Sequence, residues 1–352
     1  MTPPPKAFLV VETGRLGDLV MATPALETLR RGAPDAEIIV AGSWPLAILE
    51  HHPCVDRLVT VPHPNPRWLR LVLERRRWTR WLTRQNVAAI ILCHDHDHRI
   101  WQWAAHRAGV PRILSNQLVH PTGAHCSDRL HQLALAVTGG IGPTPPARLI
   151  VTDEEREAAR RRLASLGRDE ARPLVGVHVG TNRLSRGHRN FEHKRWPIAR
   201  WQALLPDLAR TRGVQVLLTG TSAEMSATEE VARTLTPGTS LDLCGRTDVR
   251  QLAAAIAACD LFITHDTGPM HVAAALDVPL VALFSVLNPA ATGPRGPGGR
   301  HTVLESAAPC RPCDRRTQAA CRQSFCLDDI TVERVRAAAE TWLARLGRSQ
   351  IA

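Results

Sequence analysis

Residues 260–275 read DLFITHDTGPMHVAAA. The apolar run 261–264 predicts a buried strand, and the residues after the Asp-Thr-Gly turn predict a helix with Pro269 in its first turn. Such a helix start would direct the backbone N–H groups of Thr267 to Met270 at an anion, so the segment predicts a phosphate or sugar site. His271 lies in the first turns of this helix. It could hydrogen-bond a ligand or, as is more common for histidine, be a satisfied buried side chain.

Short apolar runs alternate with helical patterns over the rest of the chain, which is typical of βα units on a parallel sheet. A first series lies before residue 100 and a second after residue 170. The apolar runs are 7–11, 37–41, 58–61, 87–93, 174–179, 214–219, 241–244, 261–264 and 280–284. Two such series predict an α/β protein with two Rossmann-like domains.

The turn-rich segment 139–146 separates the two series, and residues 152–155 then read as a helix start with a capping box. We place the domain boundary near residue 165. The predicted divisions are an N-terminal domain at 1–165, a C-terminal domain at 166–330 and a final helical segment at 331–352. The final helix could pack back on the N-terminal domain.

The composition is that of an ordinary soluble globular protein, with 44% hydrophobic and 22% charged residues in a chain of 352. This length and balance exclude collagen, coiled-coil and small disulfide-scaffold classes. No apolar run reaches the ~18 residues of a membrane-spanning helix, and residues 1–11 lack a secretory apolar region. We therefore expect a cytoplasmic protein. Nine cysteines without an export signal do not predict a disulfide framework.

The chain carries a net charge of +11, from 44 basic and 33 acidic residues. A basic surface favours anionic partners such as nucleotide phosphates, nucleic acid or anionic lipid, and the sign alone selects none of these. Lysine occurs only at Lys6 and Lys194. Because all other basic residues are arginine, a lysine retained in the middle of the chain is a candidate functional residue.

A second candidate site follows the first predicted strand, where residues 12–20 read ETGRLGDLV. Ligands of open α/β sheets bind at the carboxyl ends of strands, so this loop, with Gly14, Arg15 and Gly17, is expected to face a cleft. The spacing lacks the third glycine of a dinucleotide fingerprint. Asp18 could act as a general base or cap the following helix, and capping is the more common use of aspartate at such a position.

Three segments together carry a family resemblance: Gly-x-x-Gly-Asp at 14–18, Lys-Arg-Trp-Pro at 194–197, and the Asp-Thr-Gly-x-x-His block within 266–284. In this order they resemble the lipopolysaccharide heptosyltransferases, glycosyltransferase family 9. The resemblance implies a GT-B fold, in which two Rossmann-like domains face each other across a cleft. The first domain would bind the acceptor and the second the sugar nucleotide. It also implies metal-independent, inverting transfer from an ADP-activated heptose to a glycan hydroxyl, with lipopolysaccharide core as the expected acceptor.

The same resemblance implies roles for individual residues. Asp18 matches the base that takes the acceptor proton, Lys194 the lysine that neutralises the departing diphosphate, and Asp266 the residue that holds the donor sugar. The residues around the phosphates and the sugar match Thr267, Gly268 and His271. Elementary electrostatics supports Lys194, because a fixed cation lowers the barrier when a diphosphate leaves. The alternative is a surface lysine in the Arg-rich loop 182–195.

Further donor contacts are predicted where other strands of the second domain end. Gly180 and Thr181 follow its first strand. Glu224 follows the next one, where acidic groups of Rossmann folds bind nucleotide ribose hydroxyls. Together with the Asp-Thr-Gly block, these residues complete the predicted nucleotide-sugar site.

The segment Arg67–Arg84 predicts a basic helix with a tryptophan face, since seven arginines against Glu74 give a local charge of +6. This pattern fits the surface of an anionic membrane, as an enzyme of lipid-anchored glycans would need. It fits equally well a helix whose tryptophans pack on its own domain. Nucleic acid is the less favoured partner, because the chain has no recognised reader motif.

Two clusters contain potential metal ligands. His94 and His96 belong to an alternating His-Asp run after a strand, where acceptor binding or a polar loop is favoured over a metal. The second cluster comprises Cys310, Cys313, Cys321 and Cys326. Its density predicts a structural zinc or iron site, and reduced or paired cysteines that hold a loop are the alternative. Four protein ligands leave no open position, so such a metal would be structural and not catalytic. The family resemblance implies that catalysis requires no cofactor.

These patterns predict a glycosyltransferase, with a protein or a natural product as alternative acceptors. The rival enzyme is a sugar-nucleotide epimerase of the same two-domain architecture, which would release free nucleotide without an acceptor. The non-catalytic rival is a basic protein that binds glycolipid or nucleic acid through the helix at 67–84. Its binding would depend strongly on salt and would survive loss of Asp18 and Lys194.

Overall fold

A computed structural model of the chain describes residues 7–43, 45–61, 68–94, 98–115, 124–180, 194–313 and 325–349. Contacts divide the chain into two compact units, 1–150 and 151–352. Among the described residues, no helix is both long enough and apolar enough to cross a bilayer.

The strands of the first unit are β1 (Ala7–Glu12), β2 (Glu37–Gly42), β3 (Arg57–Thr60), β4 (Val87–Leu92) and β5 (Arg112–Ser115). They form one parallel sheet in the order β3-β2-β1-β4-β5, so β1 is the central strand. The helices are α1 (Leu16–Gly32), α2 (Trp68–Arg84), α3 (His98–Arg107) and α4 (Cys126–Thr138). All six residues of β1 are buried, as expected for the centre of a parallel sheet whose faces are covered.

The core of the first unit joins the sheet to α2 and α3. Leu9 and Ile39 are register partners on neighbouring strands, and both are fully buried. The rings of Trp78 on α2 and Trp101 on α3 lie 4.6 Å apart, and Leu82 packs with them. The described tryptophan face of the basic helix is therefore packed largely inside its own unit.

The strands of the second unit are β6 (Leu174–His178), β7 (Gln215–Thr219), β8 (Ser240–Asp242), β9 (Leu261–His265), β10 (Leu280–Phe284) and β11 (His301–Glu305). They form a parallel sheet in the order β11-β10-β9-β6-β7-β8. The helices are α5 (Asp153–Ser165), α6 (Ile198–Arg212), α7 (Met225–Ala232), α8 (Val249–Ala257), α9 (Gly268–Ala275), α10 (Pro289–Thr292) and α11 (Val332–Ser349). The central strands β9 and β6 are fully buried along their length.

The second unit begins at Val151, ahead of the boundary predicted near residue 165. Helix α5 belongs to it because α5 packs against α8, where Arg250 Nε donates to Glu155 Oε1 at 2.7 Å. The predicted capping box is present. Glu155 N–H donates to the Thr152 hydroxyl at 3.2 Å, and Thr152 N–H donates to the Glu155 carboxylate at 2.8 Å. Local patterns find this helix start but not the distant arginine that assigns the helix to the second unit.

Helix α11 packs on the second unit. That the segment 331–352 could also pack on the first domain stays a prediction. Its buried side chains join the core that contains Trp196 and Trp201. The indole N–H of Trp342 donates to the Thr302 hydroxyl at 3.0 Å. The helix is thus an integral part of the second unit.

Candidate active site

The loop after β1 places Asp18 in the first turn of α1. The backbone N–H of Arg15, the N-cap residue, donates to Asp18 Oδ2 at 2.8 Å, so Asp18 caps the helix as its position predicts. The Asp18 side chain is still 26% exposed, which leaves part of the carboxylate accessible. Capping and a role as base are therefore compatible, and the role as base stays a prediction. Gly17 is buried in α1, and the side chain of Arg15 is exposed.

His94 follows β4, the strand that pairs with β1, and so lies beside Glu12 at the end of β1. Its Nε2 lies 2.9 Å from Glu12 Oε1 and 3.7 Å from Asp18 Oδ2. The structure thus brings together two predicted site residues, Asp18 and His94, and adds Glu12. Our sequence reasoning missed Glu12, although a carboxylate that ends an otherwise apolar strand was a signal that could have revealed it.

His94 carries a positive charge at neutral pH. Burial by itself would lower the pKa of His94, but the neighbouring carboxylates of Asp18 and Glu12 outweigh it and raise this pKa to about 11. Burial raises the pKa of Glu12 above its usual 4.5, against the opposing effect of His94. An imidazolium is therefore held between two acidic side chains.

Gly14 is required by the close approach of these three side chains. A Cβ atom on Gly14 would lie 2.3 Å from His94 Nε2, 2.6 Å from Asp18 Oδ2 and 2.7 Å from Glu12 Oε1. The Gly14 N–H also donates to Glu12 Oε1 at 2.7 Å. Any side chain at this position would push the three polar groups apart.

In the second unit Lys194 pairs with Asp266, with 2.6 Å between Nζ and Oδ2. The two side chains are only 16% and 9% exposed, so Lys194 is not the surface lysine of the alternative interpretation. Asp266 directly follows β9, and its N–H donates to the Leu283 carbonyl at 3.1 Å, which extends the pairing with β10. A cation and a carboxylate are thus held together at the carboxyl end of a central strand.

His265, the last residue of β9, holds the segment that carries Lys194. The ring is fully buried, and its Nε2 accepts the Trp196 N–H at 2.8 Å. Burial, with a smaller effect of His178, lowers the pKa of His265 to about 3, so the ring is neutral and can accept this bond. Sequence reasoning missed His265, although it immediately precedes Asp266.

The N-terminus of α9 agrees with the predicted anion site only in part. Thr267 is the N-cap, and its hydroxyl lies 3.1 Å from the Thr264 hydroxyl. Gly268 begins the helix as predicted. Met270 differs from the prediction, because its side chain is fully buried and its N–H donates to the Thr267 carbonyl at 3.1 Å. His271 is 6% exposed, which agrees with the alternative of a buried histidine.

Glu224 lies after β7, in contact with the end of β6. The N–H and the hydroxyl of Thr221 donate to Glu224 Oε2 at 2.7 and 2.8 Å, and His178 Nε2 lies 3.6 Å from Oε1. A Cβ on Gly180 would lie 2.3 Å from the same Oε1, so Gly180 and Glu224 are adjacent. This agrees with the prediction that both contact the nucleotide-sugar donor. Burial would raise the pKa of Glu224, but His178 and Thr221 outweigh it and hold this pKa at about 2. The ionised carboxylate can accept hydrogen bonds from hydroxyl groups.

Five of the residues named from the sequence lie outside the described residues: Lys6, Arg67, His96, Thr181 and Cys321. Of the other clustered cysteines, Cys310 is exposed, Cys313 is half-buried and Cys326 is buried. The Cys313 thiol donates to the Cys310 carbonyl at 3.4 Å. The metal site at this cluster stays a prediction.

Comparison with known proteins finds a family model, glycosyltransferase family 9 (heptosyltransferase), that matches residues 69–322. The chain belongs to glycosyltransferase family 9. Lipopolysaccharide heptosyltransferase 2 of Salmonella typhimurium is 27% identical to this transferase over 308 residues, which cover 82% of the chain and 85% of the relative.

Two solved structures, among others, share the fold of the transferase. A family 9 glycosyl transferase from Veillonella parvula matches it with a TM-score of 0.81 at 23% identity, over 98% of this chain and 99% of that one. The E. coli ADP-heptose lps heptosyltransferase II matches with a TM-score of 0.76 at 22% identity, over 97% and 99%. The predicted GT-B fold class, with its two parallel-sheet units, is confirmed. The chain is a glycosyltransferase, so the epimerase and the non-catalytic binding protein are wrong as primary functions.

Proposed function

We propose that the transferase is an inverting heptosyltransferase that moves a heptose from an ADP-activated donor to a hydroxyl of lipopolysaccharide core. The pair of Lys194 and Asp266 carries this proposal, since it joins a cation for a diphosphate to a carboxylate for sugar hydroxyls. The names of the relatives support the substrates. One is a lipopolysaccharide heptosyltransferase and another an ADP-heptose lps heptosyltransferase.

In the proposed reaction the Asp18 carboxylate accepts the proton of the acceptor hydroxyl. The hydroxyl oxygen attacks the anomeric carbon of the heptose from the face opposite the diphosphate. The bond between the anomeric carbon and the diphosphate oxygen breaks, ADP leaves with the bonding electrons, and the configuration inverts. Lys194 neutralises the charge that develops on the leaving diphosphate. The scheme uses no metal.

The second unit would bind the donor and the first unit the acceptor. Asp266 would accept hydrogen bonds from the heptose hydroxyls, with the start of α9 at Thr267 and Gly268 beside the phosphates. Glu224, which is held ionised after β7, would accept hydrogen bonds from the ribose hydroxyls. Gly180, which has no side chain, would let the nucleotide approach Glu224. In the first unit the loop after β1 would receive the acceptor hydroxyl at Asp18.

Titration calorimetry with ADP-heptose, a UDP-sugar and a GDP-sugar tests the donor site. We expect wild-type protein to bind ADP-heptose in preference to the other two, and Asp266→Ala to bind it about 10- to 100-fold more weakly, because a charged hydrogen-bonding partner is lost. Asp207→Ala is the matched control. It removes another ion-paired aspartate of the same unit, bonded to Arg210 at 2.7 Å, and should bind ADP-heptose like the wild type.

The acceptor is tested with heptose-deficient lipopolysaccharide and its O-deacylated form, by following ADP release and the mass of the product. A mass gain of one heptose on both forms would support lipopolysaccharide core as the acceptor. Transfer only to a protein or to a small natural product would contradict the assignment of lipopolysaccharide core as the acceptor. Absence of binding to every nucleotide sugar, in folded protein, would contradict the donor assignment itself.

We also propose that the first unit contacts an anionic membrane peripherally. Among the described side chains of α2, four arginines are exposed: Arg76, Arg77, Arg80 and Arg84. On the adjoining α3, Trp103 is 38% exposed and lies 5.5 Å from the guanidinium of Arg75 and 5.8 Å from that of Arg107. Arginines grouped around an exposed tryptophan favour the headgroup region of an anionic bilayer.

Sedimentation with vesicles tests this contact, using phosphatidylcholine with and without phosphatidylglycerol. We expect binding only to the anionic vesicles and release at high salt, and Arg76→Glu/Arg80→Glu should lower the affinity at least tenfold. The matched control reverses two exposed arginines of α5, Arg160→Glu/Arg161→Glu, and should bind like the wild type. Equal losses in both double variants would mean that net charge, and not this surface, binds the lipid.

A further inference from the structure

Glu12 is a buried carboxylate that has no part in the reaction scheme above. Its side chain is 1% exposed at the end of the central strand. A buried carboxylate is costly unless a charge and hydrogen bonds compensate it, and truncation of one partner of such a pair is strongly destabilising. Here the compensating groups are the Gly14 N–H and the ring of His94. Glu12 is therefore paired with His94, whose Nε2 lies 2.9 Å from Glu12 Oε1.

The three side chains converge on the backbone of Gly14. A Cβ of Gly14 would lie within 2.3–2.7 Å of His94 Nε2, Asp18 Oδ2 and Glu12 Oε1, one bond from the Gly14 Cα atom. A metal ion at that point would overlap the Gly14 Cα atom. The same convergence suits an imidazolium that bridges two carboxylates.

We propose that Glu12 and His94 form a positioning pair for Asp18. In this pair, Glu12 anchors the His94 imidazolium, and the imidazolium holds the Asp18 carboxylate in the place and charge state in which it takes the acceptor proton. The inference rests on the proposed role of Asp18 as the base. Neither Glu12 nor His94 touches the reacting atoms in this scheme.

The pair also keeps the charge of the His94 imidazolium compensated when Asp18 loses its own charge. When Asp18 takes the acceptor proton it becomes neutral, and an imidazolium with Asp18 as its only counterion would lose its compensation in a buried site. Glu12 keeps that compensation through the reaction. Among the described residues, Cys126 and Arg129 of α4 are further titratable groups near the pair. Burial raises the pKa of Cys126, Arg129 opposes this effect, and Asp18 and Glu12 add to it.

The test compares kcat/KM against pH for the full-length protein, with ADP-heptose and O-deacylated, heptose-deficient lipopolysaccharide. In His94→Gln we expect kcat to fall about tenfold and the acidic limb to move up by about one pH unit, because loss of a neighbouring cation disfavours the ionised base. In Glu12→Gln the pKa of His94 falls, so kcat/KM should instead decline on the alkaline side. His106→Gln, an exposed histidine at the end of α3, is the control and should keep the wild-type profile.

Imidazole 15N NMR gives a readout that does not need turnover. One histidine should stay protonated at pH 9 in the wild type, be absent from His94→Gln and titrate at lower pH in Glu12→Gln. A lower kcat in His94→Gln with an unmoved acidic limb would overturn the positioning role. Full turnover of Asp18→Asn would instead overturn the proposed base. An inactive Asp18→Asn beside an unaltered His94→Gln would overturn only the positioning pair.

Discussion

The side chains of Glu12, Asp18 and His94 converge at Gly14, which has no side chain. Asp18 and His94 are candidates from their motifs, and a Gly-x-x-Gly loop after a strand is a local signal. Glu12 and Asp18 belong to the same local stretch of sequence, and the pairing of β1 with β4 brings the distant His94 beside them. Local patterns therefore suggest the candidates one by one, and strand order determines that they meet.

Gly14→Ala should lower kcat at least 100-fold, because its methyl group would overlap the polar atoms of Glu12, Asp18 and His94. The same overlap should lower the free energy of unfolding by about 1–3 kcal/mol. Steady-state kinetics and urea unfolding measure the two effects. Gly140→Ala is the control, since its Cβ would meet nothing nearer than 3.4 Å. Equal activity of the two variants would contradict the close approach described at Gly14.

Among the elements, each of the nine predicted apolar runs overlaps a strand, and two strands were not predicted. Strands β5 and β11 lie at sheet edges and are only partly buried. Edge strands are harder to find by this signal because they keep polar residues, although the edge strands β3 and β8 do contain a predicted apolar run. Sequence patterns have a similar limit for α5 and α11. The patterns predict both helices, but they do not indicate which elements these helices pack against.

Trp342→Ala should destabilise the second unit by about 3–5 kcal/mol, the usual cost of removing a large buried ring. The ring is 9% exposed in the core, and its N–H bond to the Thr302 hydroxyl would also be lost. Urea unfolding followed by circular dichroism measures the shift in midpoint. Trp103→Ala, which removes a 38% exposed ring, should move the midpoint little. Equal midpoints for the two variants would mean that α11 adds nothing to the core.

For the whole molecule, pH should act on stability through histidines in both units. Burial lowers the pKa of His52 to about 4 and of His265 to about 3. Each lowered pKa adds stability that is complete above the unfolded value of about 6.5 and is lost as pH falls toward the folded value. His94 acts in the opposite direction, because its pKa is raised to about 11. Its contribution is complete below about 6.5 and is lost as pH rises toward the folded value.

The free energy of unfolding should therefore fall on both sides of about pH 6.5, by about 1.4 kcal/mol per pH unit for each proton involved. On the acid side His52→Gln should flatten this dependence, by up to about 3 kcal/mol between pH 6.5 and 4. Urea unfolding at a series of pH values measures the slope. His106→Gln, which changes an exposed histidine, should keep the wild-type slope. An unchanged slope in His52→Gln would contradict the assignment.

Local sequence patterns suffice for the two-unit α/β class, for all the central strands and for Asp18, Lys194 and Asp266 as candidates. Each of these depends on residues that are near one another in the chain, such as an apolar run or a glycine turn before a helix. Packing of the folded chain settles which candidates meet. It brings Lys194 to Asp266, sets Glu12 beside His94 and assigns α11 to the second unit. These contacts join distant residues through strand order and helix packing, which no local spacing encodes.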